Sequence, residues 1–171
     1  NVIGLMALTK SVVPHMIKNR SGLVVNIASV SGICATPFAG AYCSTKAAVN
    51  LMSTSLRLEL APFGIDVITV QPGAIKSGFG KAALHSIRLG EKSVYAPLSR
   101  YIEGRAMSSQ KDPTSAEEFS SQLVDKLFLK KIPKIIRLGK SSTRLPLVAS
   151  LPAGRFDKIM TRMFGLDKLR K

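Results

Sequence analysis

Two short apolar runs, Leu23-Val24-Val25-Asn26-Ile27-Ala28 and Ile65-Asp66-Val67-Ile68-Thr69-Val70, stand on either side of a long helical stretch. Runs of this length, rich in Val and Ile, are too short for buried helices and fit strands covered on both faces. Residues 29–40, with Gly32, Pro37 and Gly40, read as a loop. A helix follows from about Ala41 to Ala61 and closes at Pro62-Phe63-Gly64. A helix that returns the chain from the end of one strand to the start of the next leaves the two parallel. The pattern predicts a βαβ unit within a doubly wound parallel sheet, an α/β fold.

The flanking segments extend that plan. Residues 2–18 place Ile3, Met6, Ala7, Val13, Met16 and Ile17 at helical spacing and stop at Asn19-Arg20-Ser21-Gly22. Pro14 lies within that helix and predicts a bend or a restarted last turn. Asp112-Pro113-Thr114-Ser115-Ala116-Glu117 opens a helix running to about Leu129, with a cap residue and then acids in the first turn. Lys134-Ile135-Ile136-Arg137-Leu138 reads as a third strand. Residues 76–111 show no sustained period and hold Gly78, Gly80, Gly90, Pro97 and Gly104. They predict a flexible insertion with short helices, the size of an active-site lid. Residues 1–142 form the domain, and 143–171 a tail with Phe156, Ile159, Met160, Met163 and Phe164 at helical spacing.

Composition excludes several classes. With 46% hydrophobic residues the chain is not disordered. No stretch approaches the ~20 apolar residues of a spanning helix. The two cysteines, Cys34 and Cys43, have neither a metal nor a redox spacing and read as free thiols in a reducing compartment. Asn19-Arg20-Ser21 matches a glycosylation acceptor, a pattern too short to weigh without a secretory signal. Of the 25 Lys/Arg, twelve lie in residues 130–171 beside two of the ten Asp/Glu, within an overall charge of +15. That asymmetry points to an acidic surface, and the absence of Trp and of a basic motif interleaved with aromatics favours anionic lipid over nucleic acid. A solvated basic face is the plainer alternative.

The chemistry concentrates in Tyr42-Cys43-Ser44-Thr45-Lys46. A Tyr and a Lys four residues apart share one helix face, where the ammonium can favour the ionised phenol. An unperturbed Tyr titrates near pH ~10, too high for proton relay at neutral pH, and a neighbouring cation lowers it toward the useful range. Ser29, thirteen residues upstream in a loop, can hydrogen-bond a carbonyl oxygen in the same pocket, and Pro72-Gly73 breaks the chain after the second strand. This trio is what carbonyl/alcohol redox chemistry asks of a protein. His15 and His85 sit in a helical apolar pattern and in the lid, and neither is assigned chemistry.

Asn1 in Asn-Val-Ile-Gly, Asn26-Ile27-Ala28-Ser29, Tyr42-Cys43-Ser44-Thr45-Lys46 and Pro72-Gly73-Ala74-Ile75 occur in the order and at the spacing of the short-chain dehydrogenase/reductase family. Over roughly residues 1–77 the chain resembles that family. The resemblance implies that Tyr42 is the proton donor in reduction and that Ser29 orients the carbonyl. It implies that Lys46 holds the nicotinamide ribose and tunes Tyr42, and that Asn1 anchors a proton-relay water. Pro72, Gly73 and Ile75 would line the nicotinamide, with Ser77 near its amide or phosphates. By the family plan the chain holds the last three strands of a partial Rossmann-type sheet and their flanking helices. No Gly-x-x-x-Gly-x-Gly turn opens a helix, so the 171 residues alone are expected neither to hold the dinucleotide well nor to turn over.

Leu56-Arg57-Leu58-Glu59-Leu60-Ala61-Pro62-Phe63-Gly64-Ile65, Ser93-Val94-Tyr95-Ala96-Pro97 and Phe164-Gly165-Leu166-Asp167-Lys168-Leu169 resemble the NADPH-dependent 1-acyldihydroxyacetone-phosphate reductase branch. NADP is then the implied cofactor, although the residue selecting it over NAD lies outside these motifs. An acyl-lipid ketone is the implied substrate, with Phe79, Leu84, Ile87, Tyr95 and Met107 as an apolar lid. The implied setting is the cytoplasmic face of the endoplasmic reticulum or a lipid droplet, or otherwise the cytoplasm, with the basic tail docking on the surface. Homo-oligomers through the helix bearing Tyr42 are expected from the family, and no metal is. The alternatives are a steroid or retinoid dehydrogenase of the same family and a non-enzymatic, truncated product that binds lipid surfaces.

Overall fold

The computed structural model describes residues 1–169. Its frame is a three-stranded parallel sheet of β1 (Gly22–Ile27), β2 (Ile65–Pro72) and β3 (Ile135–Leu138), with β2 in the centre. The register aligns Val25 with Ile68 and Ile27 with Val70 on one side, and Val70 with Ile136 on the other. The long helix α2 (Gly40–Leu60) carries the first crossover, and α5 (Ala116–Leu127) precedes β3 in the second. The predicted α/β fold with a doubly wound parallel sheet is the observed one.

Alternation along β2 sorts the core into two layers. Val67, with Val24, Ile65 and Leu60, packs beneath Val13, Met16 and Ile17 of α1 (Ile3–Asn19) and Leu56 of α2. Ile68 and Val70, with Ile136 and Leu138, pack against Phe119, Leu123 and Leu127 of α5 on the opposite face. Helices cover both faces, and β2 is buried along most of its length. Strand β1 departs from the expectation of complete burial, because Leu23 and Ile27 stay 38% and 44% exposed. It is an edge strand: β2 pairs along one side, and no described strand pairs along the other.

Helix α1 runs unbroken through Pro14. Pro14 cannot donate to the Lys10 carbonyl, and both residues are exposed, so that carbonyl stays open to solvent. Of its predicted apolar face only Val13, Met16 and Ile17 reach the core, whereas Ile3 is 86% exposed. Arg20, left-handed at φ 50°, ends the helix by donating its N–H to Ile17. Helix α5 is capped by Ser115, whose hydroxyl accepts from the Glu118 N–H, and not by Asp112. Asp112 instead pairs with Lys140 next to β3.

The insertion folds into α3 (Phe79–His85) and α4 (Ser99–Met107), joined by a coil and a 3-10 turn. The tail forms α6 (Arg144–Ala149) and α7 (Ala153–Met163). Phe156, Met160 and Phe164, the apolar face that the sequence offers to a lipid surface, turn inward onto Cys34 and Phe38. Positions 170 and 171 of the expected tail lie outside the described residues.

Candidate active site

Helix α2 brings the Tyr–Lys pair to the carboxyl end of β1 and β2. Tyr42 lies in its first turn and Lys46 one turn later, both half-buried. The Lys46 ammonium donates to the Ile27 carbonyl at 2.9 Å, at the last residue of β1 and two residues before Ser29. That is the one side-chain hydrogen bond of Lys46 among the described residues, so the ammonium is fixed to the sheet rather than to the phenol. Burial of the amine lowers its pKa from the ordinary lysine value. The Tyr42 ring rests on Phe79 of α3, with centroids 5.1 Å apart, and its hydroxyl has no hydrogen-bond partner among the described residues. The phenol is therefore free to bond an incoming oxygen.

Ser29 lies two residues past the end of β1 and is 8% exposed. Its Oγ accepts the Ser31 N–H at 3.1 Å, which starts a 3-10 turn over Val30–Gly32. An oxygen held this way keeps its own O–H to donate, as a ketone-orienting hydroxyl must. Asn1 also reaches the site: its amide donates to Thr45 Oγ1 at 3.2 Å, and Thr45 donates to the Tyr42 carbonyl at 2.8 Å. A groove of about 580 Å³ between α1 and β1 is lined by Asn1 and Lys46 with Leu8, Leu23 and Ile27. A second hollow of about 440 Å³ lies over α7 among Lys158, Arg162 and Asp167 and holds none of the candidate residues.

The residues after β2 are pinned on both sides. The Gly73 N–H donates to Leu138 at 2.9 Å, and any Cβ there would collide with the Lys140 carbonyl oxygen. That contact, rather than a turn, is why glycine stands next to Pro72. Ile75 and Ser77 are held by one side chain, Gln110: its amide donates to the Ile75 carbonyl at 3.1 Å and its oxygen accepts the Ser77 N–H at 3.0 Å.

Polar side chains of α2 and of all three strands hold the site in register, and of these only Asn26 belongs to a motif. Gln71 donates to Asn50 Oδ1 at 3.1 Å and accepts from Arg137 at 2.9 Å, while Asn26 donates to Ser53 at 2.9 Å. Asn50 and Ser53 lie further along α2, so these bonds fix its rotation over the sheet. The signal was there: Asn50 continues the Tyr42, Lys46 face by another four residues, and Gln71 interrupts an apolar strand. Gln110 left no comparable trace. Among the described residues no group of His, Cys, Asp or Glu is placed to hold a metal.

A parallel sheet with helices on both faces, and a Tyr, Lys and Ser gathered at the carboxyl ends of its strands, defines an α/β dehydrogenase framework. The model of the short chain dehydrogenase family matches residues 1–87, and the chain belongs to that family. It is 29% identical over 171 residues to the short-chain dehydrogenase RED1 of Pyricularia oryzae, covering 99% of this chain and 60% of that protein. It is 38% identical over 96 residues to the 3-ketodihydrosphingosine reductase of Bacteroides thetaiotaomicron, covering 56% of this chain and 36% of that protein. A crystal structure of a short-chain dehydrogenase from Streptomyces avermitilis superposes with a TM-score of 0.67 at 26% identity, over 98% of this chain and 58% of that one. The chain thus spans about 60% of the length of the relatives that it matches along its whole length.

Proposed function

We propose that the whole gene-encoded protein is an oxidoreductase that moves a hydride between NADP(H) and the ketone or secondary alcohol of a lipid, with 1-acyldihydroxyacetone phosphate as the substrate reduced. The observation that carries the redox reading is the Lys46–Ile27 hydrogen bond, which places a half-buried ammonium one helical turn from the unpartnered Tyr42 phenol and beside the Ser29 loop. The donor set fits a nicotinamide riboside: Lys46 would hold its ribose hydroxyls, and Pro72, Gly73, Ile75 and Ser77 its ring and amide. When bound, that group supplies the hydride. Ser29 hydrogen-bonds the ketone oxygen and orients it, and Tyr42 gives that oxygen its phenolic proton as the carbonyl carbon is reduced. Lys46 stabilises the phenolate left behind, and water held near Asn1 returns the proton.

Support for a lipid ketone is the local similarity to a protein named as a ketodihydrosphingosine reductase, together with a half-exposed apolar lid in which Phe79 and Tyr95 stay 46% and 44% exposed. For surface docking the outward face of α7 offers Arg155, Lys158 and Arg162 with exposed Ile159 and Met163. We extend the reading to the cytoplasmic face of the endoplasmic reticulum or a lipid droplet.

Tyr42→Phe in the whole protein removes the acid and keeps the ring, so NADPH oxidation with a ketone should fall by about 10²-fold or more while NADPH binding is retained. Substantial remaining turnover means that the acid is another group. A panel of acyl-dihydroxyacetone phosphate, ketosphingoid, steroid and retinal substrates assigns the branch, and preference for a steroid or retinoid overturns the lipid-phosphate reading. No turnover with any of them leaves the non-enzymatic alternative.

A further inference from the structure

The tail and the lid meet at one residue of the catalytic loop. Phe38 lies four residues before Tyr42 and has φ +64°, a left-handed backbone that is uncommon for a bulky residue and is retained where surrounding contacts force it. Its ring meets Tyr95 of the lid edge-to-face at 6.0 Å and Phe164, just past α7, at 6.2 Å. Phe164 and Met160 are 8% and 5% exposed and close over Cys34, itself 1% exposed, in the same loop. The next residue, Gly165, is left-handed at φ +69°, and a Cβ there would sit 2.6 Å from the Tyr101 ring of α4. Lys168 covers that ring at 5.0 Å. One turn further along the same face of α4, Arg105 donates to Thr36 Oγ1 at 2.6 Å, and Thr36 lies between Cys34 and Phe38.

Helix α2 starts at Gly40 without a side-chain cap, since Ala39 precedes it. Its first turn, with Tyr42, is therefore directed by what holds Phe38. Lys46, one turn on, is tied separately to β1. The Phe38 junction and the Lys46–Ile27 bond are thus two of the anchors that set the spacing of phenol, ammonium and Ser29, and the first reaches into the C-terminal segment.

We propose that Phe164 and Phe38 are positioning residues: the segment from α7 to Leu169 clasps the lid onto the catalytic loop and so aims Tyr42 at the ketone. This rests on the reading of Tyr42 as the proton donor. The segment is then part of the catalytic unit, whatever its outward basic face also binds.

The test uses the whole gene-encoded protein and the variants Phe164→Ala, Phe164→Leu and Phe38→Gly. Glycine suits the left-handed backbone, so the last variant removes the ring without straining the loop. Misaimed groups cost about 10–100-fold, so kcat should drop by that amount in Phe164→Ala and Phe38→Gly, with KM for NADPH unchanged and Phe164→Leu largely restored. In both damaged variants amide exchange over residues 34–43 should speed up while that of β1 and β2 holds. Unchanged kcat, or a KM for NADPH that rises in step with the loss, overturns the proposal. If the wild-type protein shows no turnover, the assignment of Tyr42 fails, and unaltered exchange at 34–43 then rejects the clasp on its own evidence.

Discussion

Lys46 carries a charge that its position half removes from water, and the Ile27 carbonyl repays only part of the lost hydration. Because its pKa is lowered in the folded protein, the unfolded chain binds the extra proton between that lowered value and the ordinary 10.5. Stability must rise with pH across that window, be greatest above it, and be lost as pH falls through the folded value. Lys46→Met removes the step, so the wild type should gain stability relative to the variant as pH climbs from neutrality toward 10.5 in urea titrations. A constant difference means that the amine is not held by burial. The Tyr42, Lys46 and Ser29 set was legible because helical periodicity and strand-end loops are local facts. Gln110 was not, since it matters through Ser77 and Ile75, 33 and 35 residues away, and the marks left by Asn50 and Gln71 did not name their partners.

At the scale of elements, strands and crossover helices follow from periodicity, and deviations occur where tertiary contact outweighs it. Helix α5 begins at Ala116 after Ser115, because Asp112 is drawn to Lys140. Helix α7 looked like a lipid-facing amphipath, yet half of its apolar positions belong to the loop around Cys34. No local pattern tells an inward apolar stripe from an outward one. Ile68, fully buried in β2, and Ser115, a partly covered cap, should differ accordingly in energetic weight. Ile68→Ala should cost about 2–5 kcal/mol and Ser115→Ala about 1 kcal/mol in denaturant unfolding. Equal losses would place the core elsewhere than between β2 and α5.

For the molecule as a whole, charge is the quantity the fold leaves unsettled. The described ion pairs are Lys134 with Asp66 and Lys140 with Asp112, so most exposed bases beyond residue 130 have no acid partner among the described residues. Vesicles containing phosphatidylserine should therefore retain the whole protein at low salt and release it at high salt, with phosphatidylcholine vesicles retaining little. Changing Arg155, Lys158 and Arg162 together to Gln should weaken that retention without touching the aromatic junction at Phe38. Equal retention by the triple variant means that another basic region carries the contact.

Along a strand successive carbonyls alternate in direction. Ala28 donates its N–H toward Val70, so the Ile27 oxygen looks the other way, out over the unshared margin of β1, where the ammonium of Lys46 finds it. Any extended segment laid against that margin, from a neighbour or from elsewhere in the protein, would run its last rung into the same oxygen. A strand added there and the Lys46 ammonium would thus compete for one acceptor.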